Sequence, residues 1–390
     1  CIRDRRQEAL EVLKDYRDRG CTLPPLPDDA TIQRMMSFMV GQEVPDEYVP
    51  MMLEEMNLAG EDSRSLHWQQ AAGEPGRSLR VVVIGAGMAG ILAGIRLQEA
   101  GIEHVILEKN AGISGTWYEN TYPGARVDTP NYFYCYSFEP NHDWSQYYSR
   151  QPELRAYFER CAAEYGVDRH IRLNTEVLAC DYDESRACWR VTSRTAGAAE
   201  QTMEADVVIS AVGQLNRPRI PDFEGREAFA GPQFHSAAYQ HQHDLTGKRV
   251  AVVGTGASAF QLVPAIADSV GELTVFQRSP VWMFPNPDYH AVVPEEVKWL
   301  LKHVPYYARW YRFLLFWPGS DGLLPSLVVD PEWPHPERSV CELNDLSRET
   351  MTAWIDSQVA DDPELRAKVL PSYPPFVKRM LQDNGSWLAA

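Results

Sequence analysis

The sequence predicts an α/β protein: two Rossmann-like dinucleotide-binding units preceded by a small helical extension. Three observations predict it. The turn Gly85-Ala86-Gly87-Met88-Ala89-Gly90 directly follows the β-forming run Val81-Val82-Val83-Ile84. The same unit returns at Val250-Ala251-Val252-Val253-Gly254-Thr255-Gly256-Ala257-Ser258-Ala259. Ahead of both, apolar residues recur at helical spacing. With 390 residues and about 150 per domain, three segments are expected. They are 1–77 (helical extension and linker), 78–215 (first dinucleotide domain, first part) and 216–390 (second dinucleotide domain with a helical insertion).

In order along the chain, Ala9, Leu10, Leu13 and Tyr16 trace one helix face, which Pro24-Pro25-Leu26-Pro27 ends. Ile32, Met35, Met36 and Met39 form a second stripe suited to packing or a dimer contact. Pro45 and Pro50 bracket a third short helix, and the polar residues 59–77 read as a linker. Residues 79–109 read as strand, glycine turn, helix and strand. Pro152–Tyr165 reads as a helix. Alternation at Ile171, Leu173, Trp189 and Val191 predicts a hairpin, and Val207-Val208-Ile209 a short buried strand. Residues 249–276 repeat the strand–helix–strand unit, and helices are expected from Glu295 to Phe316 and from Ser347 to Val369.

Composition removes several classes. Lys+Arg number 37 against Asp+Glu 54, a net charge of -17 without a basic run, so phosphate contacts to nucleic acid are not available. No stretch approaches the ~20 apolar residues of a membrane span. The nearest, Tyr306–Trp317, is interrupted by Arg309 and Arg312. That aromatic run suits helix packing first, with tunnel lining and membrane-surface docking as alternatives. The 7 cysteines are odd in number and lack C-x-x-C spacing, which argues against a disulfide scaffold, a zinc site and a dithiol centre. A reducing, cytoplasmic setting is the expectation. The chain begins at Cys1 rather than Met, so a natural N-terminus upstream is expected.

The two glycine turns differ where it matters. In the first, Gly85, Gly87 and Gly90 allow a tight turn, close approach to a pyrophosphate and close helix–strand packing, with Ala86 and Ala89 between them. Glu108 ends the next strand, where an acid binds ribose hydroxyls. In the second turn (Gly254, Thr255, Gly256, Ser258, Ala259) the corresponding strand ends in Gln277-Arg278-Ser279. Arg278 with Ser279 accommodates a 2′-phosphate that an acid would repel. FAD in the first site and NADPH in the second is the economical assignment, which makes the chain a flavoprotein.

Further motifs carry a family resemblance. Gly115-Thr116-Trp117-Tyr118 and Tyr122-Pro123-Gly124-Ala125-Arg126-Val127-Asp128 resemble the flavin-proximal loop of Baeyer–Villiger monooxygenases. Phe229-Ala230-Gly231-Pro232-Gln233-Phe234-His235-Ser236-Ala237-Ala238-Tyr239 resembles that family's fingerprint, and Lys378-Arg379 its active-site pair. The N-terminal helices, with Val44-Pro45-Asp46-Glu47-Tyr48-Val49-Pro50, look most like the hydroxyacetophenone monooxygenase branch. The fingerprint Trp is Tyr239 here, similar to the flavin-containing monooxygenases that oxidise amines and sulfides. In the family, the FAD domain resumes after the NADPH domain, and this chain stops shortly after Arg379. A fragment lacking its C-terminal part is therefore expected.

The resemblance implies that NADPH reduces FAD and that the reduced flavin, as a C4a-peroxide, inserts one oxygen from O2 beside a ketone carbonyl to give an ester or lactone. Arg379 would supply the fixed positive charge and Asp128 would pair with it. Lys378 and Arg278 would hold the 2′-phosphate. Lys109, Gly115, Thr116, Trp117, Asp128 and Tyr134 would complete the flavin contacts. His235 reads as a hinge residue and Cys135 as a buried packing cysteine. The alternatives are N- or S-oxygenation and a non-catalytic nucleotide-binding fragment. A small ketone and O2 are the expected partners, and the N-terminal helices offer a homodimer contact.

Overall fold

A computed structural model describes residues 2–58 and 79–390. The first unit opens with β1 after the N-terminal helices α1 (Ile2–Asp18), α2 (Asp29–Val40) and α3 (Val49–Met56). It comprises β1 (Arg80–Ile84), α4 (Met88–Glu99), β2 (Glu103–Leu107), α5 (Thr116–Glu119), α6 (Gln151–Glu164), β3 (Ile171–Arg172), β4 (Thr175–Asp183), β5 (Cys188–Thr195), β6 (Glu200–Ala205) and β7 (Val207–Ser210). The parallel sheet has the order β3-β2-β1-β7. Strand period sorts its side chains to two faces. Val81, Val83 and Ile106 join Ile91 and Ile95 of α4 and Leu154 and Phe158 of α6. Val82 and Leu107 join Val191 and Ala205 of the antiparallel β4-β5-β6 meander. Both faces of β1 are thus covered, which is why it reads as an unbroken apolar run.

The meander has one strand more than the expected hairpin. Glu200-Gln201-Thr202-Met203-Glu204-Ala205 pairs with β5 along one edge, and its exposed first half leaves no apolar alternation to read. Val207 also departs from expectation: β7 is the outer strand of its sheet and Val207 is 40% exposed.

The second unit is β8 (Arg249–Val253), α7 (Ala257–Ile266) and β9 (Glu272–Phe276), with two parallel strands in register Arg249↔Glu272 to Val253↔Phe276. It continues into β10 (Met283–Pro285), α8 (Glu295–His303), α9 (Tyr307–Phe316), α10 (Glu342–Val359), α11 (Pro363–Val369), β11 (Leu381–Asp383) and α12 (Ser386–Ala389). The helical stretch expected from Glu295 to Phe316 holds two helices, parted by Pro305 and a left-handed Tyr306 (φ 62). The second expected helix starts earlier, at Glu342, and breaks where Asp362 caps α11 by accepting from Leu365 N–H at 2.9 Å. Phe260 of α7 meets Trp282, Met351, Ile355 and Leu381 in one core, and Trp387 stacks on Phe260 at 4.6 Å.

Ile32, Met36 and Met39 of the methionine stripe pack inside this chain, while Met35 is exposed. Ile32, Met36, Met52 and Met56 close on Phe313 and Trp317, the aromatic run that sequence left open. Between Pro45 and Pro50 lies a short 3-10 helix, Asp46–Tyr48, and Pro50 then stands in the first turn of α3. Arg312 locks the joint: its Nε donates to Glu55 Oε1 at 3.0 Å, and its Nη1 to the carbonyls of Tyr132 (3.2 Å) and Phe133 (3.0 Å). Both charged side chains are largely covered (12% and 15% exposed). Arg312→Ala, by removing the guanidinium that joins Glu55 to the Tyr132 and Phe133 carbonyls, is expected to destabilise the chain by about 3 kcal/mol. Arg312→Met with Glu55→Gln should lose less, as thermal melting of the two variants checks. The linker 59–77 lies outside the described residues. Among the described residues, no helix is long and apolar enough to cross a membrane.

Candidate functional site

Two glycine cradles stand at the strand ends. In the first, Gly85 is left-handed (φ 100) and its N–H donates to Leu107 O at 2.8 Å, closing the turn. A Cβ on Gly90 would lie 1.9 Å from Gly85 O, so α4 presses on β1 at a distance only glycine permits. Gly87 begins α4 with no side-chain cap, which leaves the helix N-terminus to an external acceptor. Glu108 is buried. Its Oε2 accepts from Ala86 N–H at 2.7 Å and its Oε1 from Asn110 N–H at 2.9 Å.

The loop ahead of α5 crosses this cradle. Ser114 N–H donates to Ala86 O at 2.9 Å, and a Cβ on Gly115 would lie 2.9 Å from Gly87 Cα. Thr116 then starts α5, and Trp117 Nε1 donates to the Tyr134 hydroxyl at 3.2 Å. Lys109 pairs with Glu119 at 2.9 Å. Lys109, Gly115, Thr116, Trp117 and Tyr134 are therefore linked in one neighbourhood beside the first cradle.

The second cradle repeats the geometry, with Gly254 at φ 106 and its N–H on Phe276 O at 2.8 Å. Gly256 begins α7 without a side-chain cap, and Ala257, Ser258 and Ala259 form the first turn. A Cβ on Gly254 or Gly256 would meet nothing within 4 Å, so the space above this turn is open. Thr255 is 9% exposed. At the end of β9, Arg278 is exposed and Ser279 Oγ accepts from Lys378 Nζ at 2.6 Å. Sequence positions 99 apart thus meet where a 2′-phosphate reader is expected.

One expectation is corrected. Asp128 does not pair with Arg379. Its Oδ1 accepts from the Tyr289 hydroxyl at 2.6 Å and from Gln261 Nε2 at 2.8 Å. Arg379 is exposed and has no ion pair among the described residues. Its segment is fastened to the second unit instead, by Lys378 on Ser279 and by Leu381 N–H on Trp282 O at 3.2 Å.

Gln261 and Tyr289 are the site residues that sequence reasoning missed. Gln261 sits in the apolar run of α7, yet its amide reaches the other unit. Its Oε1 accepts from the Tyr122 hydroxyl at 2.8 Å and from Arg126 N–H at 3.2 Å. A lone buried amide in an apolar helix was the available signal. Close approach is built in here too: a Cβ on Gly124 (φ 83) would lie 2.3 Å from Gln261 O. Tyr289 carried no signal. Its hydroxyl is pushed well above its ordinary pKa by burial and by the adjacent Asp128, so it is a permanent donor. Its carbonyl accepts from Arg126 Nη1 at 2.8 Å.

The fingerprint segment is an aromatic knot. Phe234 meets Tyr239 edge-on at 5.1 Å, and Tyr239 packs with Tyr122, Ala125, Leu262 and Ile266. His235 Nδ1 accepts from Ala237 N–H at 3.1 Å, capping its own turn. Cys135 is buried, as expected of a packing cysteine.

His290, stacked on Tyr289 at 5.1 Å, is held down to about 4 by burial first and then by the Arg126 and Arg150 charges. Burial lowers His104 and His142 as well. A depressed histidine favours the fold only while neutral, because the unfolded chain takes up the proton first. Stability is therefore expected to fall as pH drops from about 6.5 towards 4. His290→Gln should flatten that decline in a series of melts.

Two uncapped glycine cradles on successive strand–helix–strand units, joined by Gln261, define a two-site dinucleotide oxidoreductase architecture. The family profile of pyridine nucleotide-disulphide oxidoreductases matches residues 82–306, and the chain belongs to that family. Among the described residues the 6 cysteines are all free. The chain is 43% identical over 355 residues to an uncharacterised monooxygenase of Sinorhizobium fredii, covering 90% of this chain and 52% of that protein. It is 38% identical over 307 residues to a Baeyer–Villiger monooxygenase of Streptomyces coelicolor, covering 78% and 56%. Among solved structures, it resembles OTEMO in complex with FAD and NADP (TM-score 0.64, 29% identity, 80% of this chain and 64% of that one). It also resembles cyclohexanone monooxygenase from Rhodococcus bound to NADP+ (TM-score 0.65, 29% identity, 80% and 62%). The chain spans about half the length of the curated relatives it matches.

Proposed function

We propose that this chain belongs to an NADPH- and O2-dependent flavin monooxygenase of Baeyer–Villiger type, which turns a small ketone into an ester or lactone. One observation supports the reading above the rest: one cradle ends in a buried acid, Glu108, and the other in Arg278, Ser279 and Lys378. Both fit a dinucleotide. Gly87 and Gly256 leave helix N-termini uncapped, and each Glu108 oxygen keeps a lone pair for a ribose hydroxyl. Residues 78–215 would hold FAD and 216–390 NADPH, with 1–77 as the helical extension. FAD, when bound, supplies acceptance of hydride from NADPH and activation of O2. Arg379 offers a permanent charge and several donors to oxygen that gains negative charge during transfer. Tyr289 and Gln261 hold Asp128 in place. The resemblance to the hydroxyacetophenone branch favours aromatic ketones. Exposed Phe38 (77%) and Met35 (39%) on α2 are the surface for a homodimer, and free cysteines fit a reducing, cytoplasmic compartment.

The Asp128–Tyr289 bond favours keeping one rival in view, because Asp128 is held by Tyr289 and Gln261 instead of Arg379 and Tyr239 is similar to heteroatom oxygenases. Products from a ketone and a sulfide offered together decide: ester sustains the reading, and sulfoxide alone replaces it. Lys378→Ala should weaken NADPH about tenfold and leave NADH unchanged. Equal losses would remove Lys378 from the phosphate site.

A further inference from the structure

The arm bearing Lys378 is built around one tyrosine. The Tyr373 hydroxyl donates to Pro280 O at 2.7 Å, next to Ser279. Its carbonyl accepts from Trp282 Nε1 at 3.0 Å and from Arg348 Nη1 at 3.2 Å. Trp282 is 1% exposed, and the Arg348 guanidinium lies over its ring at 5.1 Å. Tyr373 is therefore fixed at both ends to the strand-end loop of the second cradle. The face of its ring holds the Lys378 ammonium, 4.4 Å from the centroid, and that same ammonium donates to Ser279 Oγ.

An exposed lysine has a flexible stem and loses rotamer freedom when it grips an anion. A carboxylate could hold it still, but would cancel its charge and repel a phosphate. An aromatic face holds an ammonium and leaves its charge intact. Among the described residues Lys378 has no carboxylate partner. We propose that Tyr373 is a positioning residue that presents Lys378 to the 2′-phosphate of NADPH and so sets the preference for NADPH over NADH. This rests on the assignment of NADPH to the second cradle.

The test uses 2′,5′-ADP and 5′-AMP, which differ only in that phosphate, titrated calorimetrically into the chain. The wild type should bind 2′,5′-ADP more tightly. Tyr373→Leu should cost about 3- to 5-fold in 2′,5′-ADP affinity and nothing for 5′-AMP. Tyr373→Phe, which keeps the ring face and gives up only the bond to Pro280, should lose less than Tyr373→Leu. In a Lys378→Ala background, Tyr373→Leu should cost nothing further. Pentafluorophenylalanine at position 373 keeps the ring's shape and removes its attraction for a cation, so it should reproduce the leucine loss even where leucine disturbs the fold. Equal losses on both probes, full additivity with Lys378→Ala, or an unchanged fluorinated variant would overturn the proposal. A wild type without preference for 2′,5′-ADP would instead overturn the NADPH assignment beneath it.

Discussion

Gly90→Ala is expected to yield a chain that no longer assembles its first cradle. The new methyl would lie 1.9 Å from Gly85 O, a backbone atom that β1 holds in place. Neither partner can yield without breaking the β1–α4 contact, and a cost of about 3–5 kcal/mol follows. Loss of flavin retention together with a lower melting temperature is the expected signature. Gly256→Ala gives the opposite signature. Its methyl meets nothing within 4 Å and its backbone (φ -77, ψ 179) suits any residue, so melting should stay within about 1 kcal/mol of wild type. The methyl does enter the open space over the α7 N-terminus, and NADP+ affinity should fall more than about tenfold. Unchanged affinity in Gly256→Ala would mean that no phosphate sits there.

Arg379→Ala should reduce ester formation about 100- to 1000-fold in a preparation that turns over ketone, with flavin binding unchanged, because one charge-stabilising donor is typically worth that much. Normal ester yield would end the role. Asp128→Asn separates two ways in which Arg379 could act. If Asp128 exchanges Tyr289 for Arg379 during turnover, Asp128→Asn should approach the arginine variant in severity. If Arg379 acts alone, the asparagine still accepts from Tyr289 and Gln261, and the loss should stay within about tenfold.

What the sequence disclosed follows the range of the interactions. Both strand–turn–helix units were legible because glycine spacing and β-formers are local, and Lys378 with Ser279 because a motif and a strand end named them separately. β6 was not legible, since its first three residues are exposed and only its last three are covered, which leaves no period of two in the sequence. The Asp128 site was misread for a different reason. The family resemblance suggested Arg379, whereas the fold satisfies that carboxylate with two neutral donors. Tyr289 and Gln261 reach it from separate elements, 161 and 133 residues away, and no local pattern encodes such a meeting.

The outer strands carry a practical consequence for anyone producing this polypeptide. The β8–β9 ribbon has only two strands, its ends show Val253 (61%) and Phe276 (56%) to solvent, and β7 shows Val207. A ribbon that narrow is marginal without neighbours, and an unpaired backbone ladder accepts any strand that arrives. Preparations should therefore thicken with concentration, one copy borrowing another's ladder. Val253→Lys or Phe276→Lys should keep them clear.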